Sequence, residues 1–190
     1  MAPDHVAVLL AAGASTRLGT PKQLLTRMGE TLVRRAARML HSTAPRELVV
    51  VLGAHRVLVE DALATAPVRI VVNDDWEEGI ASSLRCAAAA IGANRVLIAL
   101  CDQPALSAEH LHALLACDGC AATSYDGRPG VPAVVDAALW THAATLRGDR
   151  GFAALLAQRN DVVRLAAPAL FVDIDTPAQL AEARAHGLVD

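Results

Sequence analysis

The run Leu10-Ala11-Ala12-Gly13-Ala14-Ser15-Thr16-Arg17-Leu18-Gly19-Thr20-Pro21-Lys22 collects the residue types that grip phosphate. Small side chains let the backbone approach an anion closely, and exposed N–H groups cradle it. Arg17 and Lys22 add charge that neutralises a triphosphate. Gly13 and Gly19 stand six apart and Lys22 comes three residues later. That spacing is neither the GxxxxGK of a P-loop nor the GxGxxG of a dinucleotide turn.

Carboxylates form a second group. Asp102 follows Val96-Leu97-Ile98-Ala99-Leu100 and Cys101. A charge at the end of a buried strand needs a partner or a ligand. Mg²⁺ on a nucleotide suits it, with one or two carboxylates and the rest phosphate and water. Asp175 is the candidate second carboxylate. Asp173, two residues earlier, shares its face if the strand continues that far. For both, a plain turn or helix cap is the competing use.

Gly79 to Ser83 places a glycine and two serines at a helix entrance, where N–H groups and hydroxyls can hold ribose, base or phosphate. Asn73 can hydrogen-bond a base or merely form a turn. Trp76 fits either the core or a cover over the site. In the second half, Pro129-Gly130-Val131-Pro132 is a rigid loop. Gly148-Asp149-Arg150-Gly151 pairs a cation with a helix start. Both suit an anionic second substrate.

Elements that alternate must position these groups. Short apolar runs at Val6–Leu10, Leu48–Leu52, Val68–Val72 and Val96–Leu100 read as buried strands. Cys120–Tyr125, Val131–Val135 and Leu170–Ile174 read as further strands. Helical spacing marks Thr31–Leu40, Arg56–Thr65, a helix opened by Gly79, one N-capped by Ser107, and Gly151–Gln158. Thr176-Pro177 gives an N-cap and a proline at the first turn of a last helix. The alternation predicts an α/β sandwich with a mostly parallel sheet. Ligands in such sheets sit beyond the carboxyl ends of the strands.

Composition narrows the classes. The chain has 190 residues, 54% hydrophobic and 19% charged, which is enough for a core and excludes a wholly disordered protein. One domain spanning 1–190 is expected at this length. The longest run without Asp, Glu, Lys or Arg is His5–Thr16, twelve residues, too short for a bilayer span of about 20. Asp4 stands where a secretory signal would be basic. A net charge of −3 with few aromatics makes a poor nucleic-acid binder. The expectation is a cytoplasmic protein that engages neither membrane nor nucleic acid. Four cysteines without an export signal are expected as free thiols. Cys117-Asp118-Gly119-Cys120 lacks the second pair of a zinc site and reads as a turn between a helix and a strand.

The first loop resembles the signature LAxGxSxRxGxxK of the nucleotidyltransferase superfamily of sugar-nucleotide pyrophosphorylases and molybdopterin nucleotidyltransferases, and every fixed place is filled. The resemblance covers nearly the whole chain. Asn73–Arg85, Cys101-Asp102-Gln103-Pro104, Arg128–Pro132, Gly148–Gly151 and Asp173–Pro177 follow in order. The subgroup it resembles is the MocA-like molybdenum cofactor cytidylyltransferases. Ala12 and Gln103 stand where guanylyl relatives usually carry Gly and Met.

The resemblance implies a three-layer α/β/α sandwich around a Rossmann-like sheet of the GT-A type. Residues about 1–105 would bind NTP and about 106–190 the acceptor. It implies catalytic roles for Arg17, Lys22 and Asp102, and metal binding, Mg²⁺ with Mn²⁺ as substitute, by Asp102 and Asp175. Nucleotide contacts would come from Leu10, Ala11, Ala12, Gly13, Ser15, Arg17, Gly19, Lys22, Asn73, Gly79, Ser83 and Asp102, and acceptor contacts from Pro129, Gly130, Asp149, Arg150 and Gly151. The implied substrates are CTP and molybdopterin or its molybdenum form. A handover complex with a molybdenum hydroxylase or its chaperone would follow. Phe152 departs from the small or basic residues common there, which bears on the acceptor. Rival readings are a guanylyltransferase, transfer to another phosphorylated acceptor, a non-catalytic carrier, and a Rossmann oxidoreductase, which would lack its glycine fingerprint.

Overall fold

The computed structural model describes residues 4–172 and 174–190. Nine strands are described: β1 (Val6–Ala11), β2 (Thr26–Arg27), β3 (Glu30–Thr31), β4 (Glu47–Leu52), β5 (Arg69–Val72), β6 (Arg95–Leu100), β7 (Ala121–Tyr125), β8 (Arg128–Asp136) and β9 (Val163–Ala166). The helices are α1 (Leu32–His41), α2 (Arg56–Leu63), α3 (Ile80–Ala90), α4 (Ala108–Ala116), α5 (Ala137–Thr141), α6 (Ala153–Gln158) and α7 (Pro177–Ala185). Seven strands make one sheet in the order β5-β4-β1-β6-β8-β7-β9. In it β8 alone runs against the others. The strands β2 and β3 form a separate hairpin.

The three layers follow from strand alternation. Ala7, Leu9 and Ala11 of β1 and Leu48, Val50 and Leu52 of β4 face α1, α2 and α4, whose Val33, Leu40, Val59, Leu63, Leu111 and Leu114 close that side. Val6, Val8 and Leu10 with Val49 and Val51 face the other side, where Leu84, Ala87, Leu139, Trp140 and Leu156 of α3, α5 and α6 pack. Because both faces are covered, the central strands are apolar throughout, which is why their runs were continuous in sequence. A third cluster of Leu18, Leu32, Ile174, Leu180, Ala183 and Val189 ties the loop after β1 to the start of α1 and to α7.

Chain order reverses at β1, whose neighbours are β4 and β6, so the carboxyl ends of β1 and β6 lie side by side with Leu10 opposite Leu100. Such a switch point opens a crevice for ligand.

Two elements differ from the sequence reading. Pro129–Pro132, read as a loop ahead of a strand, is already part of β8, where Arg128, Pro129 and Gly130 pair with Tyr125, Ser124 and Thr123. The last strand is Val163–Ala166, paired with β7, and not Leu170–Ile174. Pro168–Leu170 is a 3₁₀ turn, and proline there supplies no N–H to a ladder. Mostly exposed at the sheet edge, β9 lacks the continuous apolar run that signals a buried strand. Asp173 lies outside the described residues. The predicted caps are present: Ser107 accepts from the His110 N–H and Thr176 from the Gln179 N–H. Cys117 caps the end of α4, Cys120 is buried just before β7, and all four cysteines are free.

Candidate active site

A cavity of about 540 Å³ opens at the switch point. Its floor is Leu10, Ala11, Leu100, Cys101 and Asp102 from the ends of β1 and β6, and its wall is Ala12 to Arg17. The wall's shape comes from Ser15. Its backbone is left-handed (φ 54°), its carbonyl accepts from the N–H groups of Leu18 and Gly19 at 3.1 Å, and its hydroxyl accepts from the Lys22 N–H at 3.0 Å. Leu18 is buried and anchors the far side. Among the described residues no protein group accepts from the backbone N–H of Gly13, Ala14 or Ser15. Free amides beside a cavity are what an anion requires.

Two residues that the sequence reading left out hold this loop. Gln23, almost fully buried, donates from Nε2 to the carbonyls of Ala11 (3.0 Å) and Gly13 (2.7 Å). His55 Nε2 lies 2.9 Å from the Ala14 carbonyl. The only hint in the sequence was a glutamine directly after Lys22. For His55 there was none, because the contact joins loops that follow neighbouring strands, with its partners 41 residues apart.

Charge gathers at the mouth. Lys22, the only lysine in the sequence, bridges two carboxylates: its Nζ donates to Asp102 Oδ2 at 3.2 Å and to Asp175 Oδ1. Arg17, largely exposed, pairs with the other Asp175 oxygen. Asp175 is placed by α7: its N–H donates to Gln179 Oε1 at 3.0 Å, directly ahead of the Thr176 cap. Burial by itself would lower the Lys22 pKa, but the flanking carboxylates of Asp102 and Asp175 outweigh it and hold the ammonium above the ordinary 10.5. Its stabilising contribution is therefore complete below pH 10.5 and is lost as pH rises through the higher folded value. Denaturation of the nucleotide-free protein across that range is expected to show a fall in stability that Lys22→Met lacks.

A cation already sits between Asp102 and Asp175 as the Lys22 ammonium, so the two carboxylates fit a divalent ion carried by phosphate. Among the described residues no cluster of three or more His, Cys, Asp or Glu side chains could hold a metal by itself. The remaining ligands would be phosphate and water, as Mg²⁺ prefers.

The opposite rim comes from α3 and the second half. Gly79 has φ 111°, and the next turn docks on the loop ahead of α6, with the Ala81 N–H donating to the Gly148 carbonyl at 3.0 Å. Gly79, Ser83, Trp76, Glu77 and Asp149 line the cavity. Trp76 reaches it because Gly53 has no side chain; a Cβ there would lie 2.6 Å from that of Trp76. Asn73 does not line the cavity. It is buried, with Nδ2 donating to Ser82 Oγ (2.8 Å) and Ser83 Oγ (3.0 Å) and Oδ1 accepting from the Asp75 N–H, so it braces the entrance from behind. Gly19 lines a neighbouring hollow with Thr20, Ala54 and His55. Arg150 is exposed next to Asp149, and Gly151 packs near Ile80. Pro129 and Gly130 lie on β8 away from the cavity, Gly130 against the Tyr125 ring.

The profile of the MobA-like NTP transferase domain matches residues 7–163. The chain belongs to this family. It is 39% identical to a protein named nicotine blue oxidoreductase from Paenarthrobacter nicotinovorans, over 94% of this chain and 95% of that one. A nucleotidyl transferase of Methanothermobacter thermautotroptrophicus superposes with a TM-score of 0.81 at 26% identity, covering 98% of each chain. The Rv0371c protein of Mycobacterium tuberculosis, solved as a manganese complex, superposes with a TM-score of 0.76 at 26% identity, covering 94% of this chain and 97% of that one. Membership in a MobA-like family agrees with the loop at Leu10–Lys22, and the sheet agrees with the expected nucleotidyltransferase architecture. No described helix is long and apolar enough to cross a membrane.

Proposed function

We propose that this MobA-like protein transfers CMP from CTP to the terminal phosphate of molybdopterin or its molybdenum form, releasing pyrophosphate. The observation that carries the proposal is the Lys22 ammonium held between Asp102 and Asp175, directly beside the unpaired amides of Gly13–Ser15. An oxygen of the acceptor phosphate attacks the α-phosphorus, the bond to the bridging oxygen breaks, and its electron pair leaves with pyrophosphate. Such a displacement needs alignment and charge neutralisation more than a protein nucleophile.

The cradle amides orient the triphosphate. Lys22 and Arg17 turn from the carboxylates to the β- and γ-phosphates and stabilise the departing pyrophosphate. Asp102 and Asp175 would hold Mg²⁺, or Mn²⁺ in its place, and a bound divalent ion supplies Lewis-acid polarisation of the α-phosphate. Residues about 1–105 would serve the nucleotide and about 106–190 the acceptor, with Asp149 lining the cavity and Arg150 exposed next to it. Cytosine rests on the resemblance to the cytidylyl subgroup, and Ala12 and Gln103 count against the guanylyl alternative. The product would be handed to a molybdenum hydroxylase or its chaperone.

Lys22→Met is expected to raise the KM for CTP about ten- to a hundredfold, the range of a lost charge-assisted hydrogen bond. The KM for molybdopterin should move little. Steady-state kinetics with each substrate varied in turn checks this, and an unchanged KM for CTP would remove Lys22 from the phosphates. The overall reaction is tested by following α-³²P from CTP: label in a pterin dinucleotide supports the proposal, and label that stays in CTP opposes it.

A second reading follows the relative named for nicotine blue. The same amides and cations would hold the pyrophosphate of a dinucleotide in a redox enzyme. The loop lacks GxGxxG, which counts against it.

A further inference from the structure

Four successive carbonyls, from the last residue of β1 into the loop that follows, are each tied to a protein donor. Those of Ala11 and Gly13 accept from Gln23 Nε2, that of Ala12 from the Ala54 N–H at 3.0 Å, and that of Ala14 from His55 Nε2. A trans peptide points its N–H opposite to its C=O. Fixing the carbonyls of Ala12, Gly13 and Ala14 therefore fixes the N–H directions of Gly13, Ala14 and Ser15, the amides without a protein acceptor. His55 reaches Ala14 from a left-handed backbone (φ 59°, ψ 23°), a conformation disfavoured for a non-glycine residue. Held there, it both precedes α2 and caps the loop.

We propose that Gln23 and His55 are positioning residues for the triphosphate. Neither touches it; together they hold the loop's carbonyls back so that its amides stand ready for phosphate oxygens before the nucleotide arrives. The inference rests on the nucleotidyl-transfer reading given above. Without the clamps the peptides of Gly13 and Ala14 can flip, and a carbonyl oxygen turned toward the cavity repels phosphate. His55 is the sharper probe, because it is exposed and can be removed without opening the core. Gln23 is buried and holds two carbonyls, so its loss also leaves two acceptors unpaired.

The test is calorimetric binding of two probes, CTP with Mg²⁺ and inorganic tripolyphosphate with Mg²⁺, to the full chain. His55→Ala is expected to weaken both by about three- to tenfold, the range of one hydrogen bond's net value, while Tm stays within a few degrees. His55→Gln, whose amide can donate from a similar position, should restore both to within a factor of about two. Gln23→Leu should weaken both probes more and lower Tm as well. Unchanged binding in His55→Ala overturns the proposal. So does a loss confined to CTP, which would make His55 a reader of the nucleoside. If the wild-type chain binds neither probe, the transfer reading itself falls and takes this inference with it. If wild type binds and His55→Ala binds equally, only the clamp falls.

Discussion

Asp102→Asn is expected to lower kcat by about 10²- to 10³-fold, the usual effect of removing one preorganised electrostatic group. The fold should hardly change. The side chain keeps its shape, is about 30% exposed, and stands at the mouth of the cavity rather than in the core. Lys22 keeps Asp175 as a partner. A partly exposed pair of this kind stabilises by roughly 0–1 kcal/mol, so Tm should drop by no more than about 4 °C in a chain of this size. Turnover is expected to collapse because one of the two carboxylates proposed to hold the divalent ion would have lost its charge. Kinetics at saturating CTP and acceptor, paired with a thermal melt, separates the outcomes. A kcat within threefold of wild type would take Asp102 out of the reaction, and a collapse of Tm would make its role structural.

Gly79→Ala is expected to damage both stability and activity. At φ 111° and ψ −172° the residue occupies a region that is essentially reserved for glycine, at a strain of roughly 1–3 kcal/mol for any other residue. Relief by a small shift is blocked, since the new Cβ would lie 2.8 Å from the backbone of Gly148. Overpacking against backbone adds roughly another 1–3 kcal/mol. What must move is the contact between α3 and the loop that carries Asp149, so the rim of the cavity opens and kcat/KM falls together with Tm. Urea denaturation and kcat/KM measured on the same preparation check it. Wild-type values for both would show that the close approach of Gly79 to Gly148 shapes neither the fold nor the site.

The parts of this fold that could be read from sequence were those whose signal is local. Val6–Leu10 and Leu48–Leu52 are buried on both faces and announce themselves as unbroken apolar runs. The loop was legible as a candidate because small residues and cations at short spacing, the types that suit phosphate, all fall within Leu10–Lys22, and the structure puts that segment along the cavity. Asp102 was legible because a strand delivers it. Position β9 escaped because an exposed edge strand needs no apolar pattern, and Leu170 misled because it is buried from a turn. Asn73 shows a different limit. Its type suits a base or a brace equally, and only the buried hydroxyls of Ser82 and Ser83 show which way its amide points. Gln23 and His55 hold the loop by hydrogen bonds to main-chain carbonyls, which leave little mark in residue type or spacing: a glutamine next to Lys22 for the first, nothing for the second.

In the proposed reaction, a nucleoside triphosphate is split at its α-phosphorus by an acceptor phosphate. This step is tested most directly by measuring pyrophosphate released when the protein, Mg²⁺ and molybdopterin are mixed with each of the four NTPs in turn. Release with CTP is expected, dependent on molybdopterin and matched mole for mole by dinucleotide formed. Release with GTP instead would keep the mechanism and overturn the cytidylyl assignment. No pyrophosphate from any NTP, with molybdopterin proven competent and the protein instead oxidising a nicotinamide dinucleotide, would contradict the account.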